Sequence, residues 1–509
     1  MRAGSPRRPR LSRAASAQCG RRRKLAHGVG GAEVCPEKVA LTYERASPRA
    51  PACRTAADAG RASGRQVARW SGWIVEVRGA RGEGQGLSQD LGTSAEGSGL
   101  IGASSTSTRE AATSSSAPCP RPSDSPRPSP LAPRPCRLGA YIHVPFCSAI
   151  CHYCNFNRGL LDAALKTCYV RALADEIRRM SDQEVVVDTI YLGGGTPSLL
   201  DPHELDAILE ACRGAFRLAP DAEITLEANP ESVSAERLTA FRAAGVTRLS
   251  YGVQSFRDEE LRRLGRLHDA AGARTAYDRA RAAGFDNINL DLMMWLPQQT
   301  VAQWLESVDA LIELGPEHAS LYLLELYPNA PLKEDMARQQ WSLAPDEDAA
   351  AMYMQSLAHL DAAGYEQYEI SNVAREGHAS RHNLKYWSDG EWLAFGCGAH
   401  GTRARARWCN VQSITEYIGR VEAGQPPVAE RRILDAEAAG AEAIITALRL
   451  TRGVNTDQVR ERYGIDVHQR YAAALQPFLE MGYLRVEWPS IRLTRAGMLI
   501  ANEVMQVFV

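Results

Sequence analysis

No run of the 509 residues approaches the roughly 18 unbroken apolar positions that a membrane-spanning helix needs. No apolar h-region marks the start, so secretion is not expected. Twelve cysteines are too sparse for a disulfide scaffold in a chain of this length. Charge of one sign is missing too: the formal net charge is -1, which by itself suggests no polyanion partner. Aromatics are only 7%, yet 45% hydrophobic and 23% charged residues still describe a globular chain. At roughly 150 residues per domain, this length allows two to four domains.

The near-zero total hides an asymmetry. Residues 1–136 carry 22 Lys and Arg against 10 Asp and Glu, leaving 37 against 50 in the remainder. The first segment is rich in Arg, Ser, Pro, Ala and Gly. Only Val39–Tyr43 and Trp70–Val77 could pack, and both are short. So little apolar surface cannot offset chain entropy. The segment therefore reads as a disordered extension, or as the product of a start codon placed too far upstream. An organelle transit peptide would be shorter and more clearly amphipathic. The expected compartment is the cytoplasm, or the mitochondrion if the extension is a true transit peptide. Cys19, Cys35, Cys53, Cys119 and Cys136 show no metal-site spacing and are assigned no role.

From residue 138 the chain alternates strand and helix. Strands are expected at 139–146, 189–195, 223–229, 248–255, 287–294 and 318–326. Helices are expected at about 162–181, after Asp201–Pro202, and near 234–244, 258–264, 269–283 and 300–314. Six strands, each followed by helix, predict a parallel sheet with right-handed crossovers, curled into a partial or full (β/α) barrel. Chemistry in such barrels sits at the C-terminal strand ends. Cys147, Gly193–Thr196, Glu227 and Gln254 follow the first four strands there, and Asp291 lies within the fifth.

The sharpest motif is Cys147–Ser148–Ala149–Ile150–Cys151–His152–Tyr153–Cys154. C-x3-C-x2-C places three soft sulfur ligands on one tight loop, which suits an iron–sulfur cluster or zinc. Zinc needs a fourth ligand. His143 is the candidate, because His152 sits awkwardly beside a ligand. Chance clustering of buried thiols is the third reading. If a cubane is held, three cysteines leave one iron open to bind a substrate.

Here the residues carry a family resemblance. The cysteine loop after a first barrel strand, followed by Gly193–Gly194–Gly195–Thr196–Pro197, resembles radical S-adenosylmethionine (SAM) enzymes. YIHVPFCSAICHYCNF, YLGGGTPSLL, LEANPES, RLSYGVQSF, LGRLH and NLDLM resemble the oxygen-independent coproporphyrinogen III dehydrogenases (HemN) and their relatives, the haem chaperones (HemW). The resemblance runs from about Leu138 to the C-terminus. It implies a [4Fe-4S] cluster on Cys147, Cys151 and Cys154 and an electron donor to reduce it. It also implies a SAM site lined by Tyr141, Tyr153, Gly194, Gly195, Thr196, Glu227, Gln254, Arg266 and Asp291. Glu227 and Asp291 can accept from amino or ribose hydroxyl groups, and Arg266 can pair with a carboxylate.

Two features separate the relatives. The dehydrogenases extend the motif to C-x3-C-x2-C-x-C, whereas this chain has Phe156 at the last position. His382–Asn383–Leu384–Lys385–Tyr386–Trp387 matches the H-N-x-x-Y-W motif associated with haem in the chaperones. The match implies His382 as axial ligand, with Asn383, Tyr386 and Trp387 at a porphyrin face. His400 is a second candidate ligand. The expectation is a haem chaperone serving membrane respiratory enzymes, with homodimerisation as one role of SAM. The alternative is oxidation of a porphyrinogen propionate. The expected domains are the extension, 1–136; a radical SAM partial (β/α)6 barrel, 137–345; a barrel extension with the haem motif, 346–433; and a winged-helix-like unit, 434–509. Acidic residues interspersed through the last unit argue against nucleic acid and for a packing lid.

Overall fold

The computed structural model describes residues 137–328 and 330–509. The reading of residues 1–136 as a disordered extension lies outside the described residues.

All six expected strands form. They are β1 Arg137–Val144, β4 Val186–Gly194, β5 Arg217–Ala228, β6 Arg248–Gln254, β7 Ile288–Met294 and β8 His318–Leu323, with the two-residue β2 Phe146–Cys147 and β3 Gly159–Leu160 in the cysteine loop. Further strands are β9 Glu366–Glu369, β10 Asn372–Ala374, β11 Trp392–Phe395, β12 His400–Arg403, β13 Ala406–Asn410 and β14 Val428–Ile433. One twelve-stranded sheet runs β14-β13-β12-β11-β1-β4-β5-β6-β7-β8-β10-β9. Pairings from β11 through β1 to β8 are parallel, and the flanking ones are antiparallel. The partial barrel thus contains a seventh parallel strand, β11, which the sequence pattern did not reveal. The sheet stays open, because β14 and β9 do not pair.

Each barrel strand alternates apolar with polar residues, and both faces are largely buried. Leu138, Ala140, Ile142 and Val144 of β1, Ile190 and Leu192 of β4, and Leu249, Tyr251 and Val253 of β6 are buried in the apolar core. The intervening positions carry Tyr141 and His143, Thr189 and Tyr191, Thr225 and Glu227, Arg248 and Ser250, Asn289 and Asp291. Ordinary barrels of this type fill the interior with Val, Ile and Leu. A polar interior leaves hydrogen-bonding groups for a ligand.

The helices fall where capping chemistry puts them. Pro202–Ala215 starts after Asp201, whose N–H donates to Glu204 Oε2 at 2.8 Å. Lys166 of helix Ala163–Arg179 then grips both carboxylates, at 3.0 Å from Asp201 and 2.7 Å from Glu204. The tail forms helices Ala436–Ala447, Thr456–Tyr463 and Val467–Glu480 with β15 Val454–Asn455, β16 Leu484–Glu487 and β17 Ser490–Leu493. The expected two-stranded wing is three-stranded, in the order β15-β17-β16. This unit docks on the barrel's last edge. Buried Glu369 of β9 pairs with Arg449 at 3.1 Å, and Arg495 clamps Asp361 on helix Asp346–Ala362.

Candidate functional site at the barrel mouth

The cysteine loop leaves β1 at its C-terminal end and is pinned there by backbone. Gly195 N–H donates to Val144 O and Thr196 N–H to Phe146 O, both at 2.8 Å. A Cβ on Gly195 would lie 2.8–2.9 Å from the Pro145–Phe146 backbone, so only glycine permits this approach. Cys147 is buried, while Cys151 and Cys154 are partly exposed. Thr196 Oγ1 lies 3.6 Å from Cys147 Sγ. Arg266 Nη1 donates to Cys151 Sγ at 3.3 Å, and Arg158 bonds the Cys154 and Phe156 carbonyls. Burial pushes the Cys147 thiol up, and Cys154 up to about 11, against the pull of Arg158. A metal must therefore displace protons here.

The donor set fits a cluster. Among the described residues, no three His, Cys, Asp or Glu side chains converge on one metal ion. A cubane does not ask for that, because each thiolate binds its own iron. Both ring nitrogens of His143 are engaged, by Tyr141 OH at 3.1 Å and Asn157 O at 2.7 Å. The imidazole proposed for zinc is thus already in use.

Beside the loop lies a second group. Gly194, at φ 115°, donates its N–H to Glu227 Oε2 at 3.0 Å. Tyr191 OH donates to Glu227 Oε1 at 2.8 Å. A Cβ on Gly194 would fall 2.4 Å from the His143 ring. Arg266 also bonds Asn229 Oδ1 and Gly252 O, each at 2.6 Å, and Asn229 Nδ2 reaches Thr196 at 3.1 Å. Asp291 accepts from Asn289 at 2.7 Å. Gln254 ends β6 at φ 71°, its Oε1 buried without a partner. The Tyr153 phenol is pushed well up by burial despite the nearby Arg266 charge. Burial also raises Glu227 to about 7 and Asp291 to about 6, against the opposing charge of Arg248.

The mouth residues expected from the sequence therefore occupy one end of the barrel. Sequence reasoning missed Tyr191, Asn229 and Arg158. Tyr191 and Asn229 lie inside the motif blocks YLGGGTPSLL and LEANPES, and that position was their only signal.

The H-N-x-x-Y-W motif lies elsewhere, on helix Arg381–Trp387. His382 is 0% exposed. Its Nδ1 lies 2.8 Å from Thr189 Oγ1 and its Nε2 2.9 Å from Tyr386 OH. Burial lowers its pKa to about 3, so the ring is neutral with both nitrogens engaged. Tyr386 packs edge-on against His382 and Trp392. Asn383 contributes its N–H to the Ser380 cap, and Trp387 lies under the Arg449 guanidinium at 4.4 Å. In this structure neither ring nitrogen of His382, the axial ligand that the motif implies, is free. His382 sits at the barrel floor, beside Gly139 of β1 and Thr189 of β4, and its backbone N–H donates to Glu223 of β5. His400, by contrast, is exposed at the start of β12.

Comparison with known proteins gives consistent matches. Residues 141–311 match the radical SAM superfamily model, and residues 434–500 the HemN C-terminal domain. The heme chaperone HemW of Bacillus subtilis is 36% identical over 372 residues, covering 72% of this chain and 98% of that protein. A mitochondrial radical S-adenosyl methionine domain-containing protein 1 of Bos taurus is 45% identical over 276 residues, covering 53% of this chain and 62% of that protein. Among solved structures, Escherichia coli coproporphyrinogen III oxidase HemN, a radical SAM enzyme, superposes with a TM-score of 0.65 at 22% identity, covering 74% of this chain and 91% of that one. At that identity the likeness is one of fold. Radical SAM membership implies a [4Fe-4S] cluster and SAM. No helix among the described residues is long and apolar enough to cross a membrane.

Proposed function

Because the chain belongs to the HemW haem-chaperone family of radical SAM proteins, we propose that it binds haem and passes it to haem-accepting proteins, membrane respiratory enzymes among them. The sequence feature that carries this reading is Phe156. It stands where the dehydrogenases of the resemblance have their extra cysteine, and it is 40% exposed beside the loop. The fold alone would serve oxidation of a porphyrinogen equally well.

In this reading Cys147, Cys151 and Cys154 hold the cluster and the barrel mouth takes SAM. When bound, the pair supplies one-electron cleavage of a carbon–sulfur bond. The chain's residues bind and orient. Glu227 and Asp291 accept from amino and ribose hydroxyl groups, and Arg266 balances carboxylate or thiolate charge. Gly194 and Gly195 give backbone access, and Tyr153 offers an aromatic face beside the cysteines. His400, exposed at the start of β12, is an accessible imidazole that haem could use as an axial ligand.

The test is anaerobic reconstitution followed by haem titration and a coproporphyrinogen III assay on one preparation. Stable haem binding without SAM-dependent decarboxylation is expected. Robust conversion to protoporphyrinogen IX would overturn the chaperone reading.

A further inference from the structure

The barrel floor and the barrel mouth are linked by one column of rings. His382 stacks on Tyr191, with centroids 5.3 Å apart and planes 29° from parallel. Tyr191 in turn stacks on Tyr141 at 6.3 Å and 22°. From Tyr191 one branch runs through its hydroxyl to Glu227, and through Glu227 to the Gly194 N–H. From Tyr141 the other branch runs through His143 to the carbonyl of Asn157, three residues beyond the last cysteine of the loop. The base of the column is immobilised from several directions. Thr189 and Tyr386 hold the two nitrogens of His382, and Glu223 accepts its backbone N–H at 3.1 Å. Gly139 leaves room for the ring, since a Cβ there would lie 3.0 Å from its Cε1.

We propose that His382 is a positioning residue of the SAM site, the footing of an aromatic column that fixes the Glu227 carboxylate and the Gly194 N–H. This rests on the reading of the barrel mouth as the SAM site. A neutral imidazole has one N–H to give and one lone pair to share. In His382 both are spent inside the fold, so its work is on Tyr191. Without that ring Tyr191 has a void beneath it, and its hydroxyl no longer has a fixed height against Glu227. Positioning of this kind is held by packing and by hydrogen bonds behind the groups that touch ligand.

The experiment uses the full chain, reconstituted anaerobically. SAM is titrated into reduced protein while the cluster's electron paramagnetic resonance signal is followed, and haem is titrated into the same preparations. His382→Ala and Tyr191→Phe should each raise the SAM dissociation constant on the order of tenfold, the scale of a lost hydrogen bond to a charged group. Cluster content and haem affinity should stay at wild-type values. The double variant should be no weaker than the weaker single, because both changes break one column. Thr189→Val keeps the volume and removes a single bond to His382. It should weaken SAM in the same direction, and it decides the matter with Tyr191→Phe if His382→Ala does not fold. Wild-type SAM binding in those variants, or His382→Ala losing haem while keeping SAM, would overturn the inference. A wild-type signal that ignores SAM would strike the SAM-site reading itself.

Discussion

Glu227 carries the most consequential charge at the mouth. Burial lifts its carboxyl to about 7, with Asp291 adding repulsion and the Tyr191 and Gly194 hydrogen bonds pulling the other way. A carboxyl raised above its unfolded value stabilises the fold most below that unfolded value. This contribution is lost as pH rises through about 7. Binding a cationic ammonium has the opposite preference, since it needs the ionised form. Below about pH 7 the ligand must therefore displace a proton, and SAM affinity should fall by up to about tenfold per pH unit until the carboxyl's pKa in the complex is reached. Titrations from about pH 5.5 to 8 in buffers of different ionisation enthalpy should show this slope and the released proton. Glu227→Gln should bind weakly with a flatter profile. A pH-independent wild-type affinity would remove Glu227 from contact with the ligand's amino group.

At the scale of elements, β11 depends on a buried carboxylate. Glu176 on helix Ala163–Arg179 accepts from Gly396 N–H at 2.8 Å, Tyr417 OH at 2.6 Å and Asn410 Nδ2 at 2.9 Å. It thereby ties the turn after β11 to the barrel wall. Glu176→Ala would strand three buried donors and should cost about 3 kcal/mol or more. Urea unfolding should show it as a lower midpoint with an unchanged slope. A loss under about 0.5 kcal/mol would mean that water replaces the carboxylate. The same strand marks where sequence reading stops. The six strands with alternating apolar positions were legible because each announces its own two faces. Trp392–Phe395 is four buried residues with no alternation, and it pairs with β1 across most of the described chain. The burial of the motif around His382 was not legible for a related reason. H-N-x-x-Y-W reads the same whether its side chains meet solvent or a barrel floor. The deciding partners, Gly139, Thr189 and Tyr191, lie far away in sequence. The cysteine loop was legible because its spacing alone limits the chemistry.

At the scale of the whole molecule, every residue of the mouth and the column follows residue 137, and the alignment with the Bacillus HemW spans 98% of that protein within 72% of this chain. β1 is nevertheless central, because it lies between β11 and β4 and carries Tyr141 and His143. Its first residue is also held, with the Arg137 carbonyl accepting from Lys385 at 3.3 Å and its guanidinium 3.8 Å from Asp221. Two truncations should therefore behave in opposite ways. A chain beginning near Pro135 keeps all of β1 and should match the full chain in melting temperature, cluster content and response to SAM. A chain beginning at Phe146 loses the strand between two parallel neighbours. It exposes two sheet edges in the core and removes the upper half of the aromatic column, and it should be recovered only as aggregate. Melting curves and iron content on the two proteins check this. If the longer truncated chain also loses its cluster, the removed segment contributes to the fold, and its reading as a disordered extension or a misplaced start is wrong.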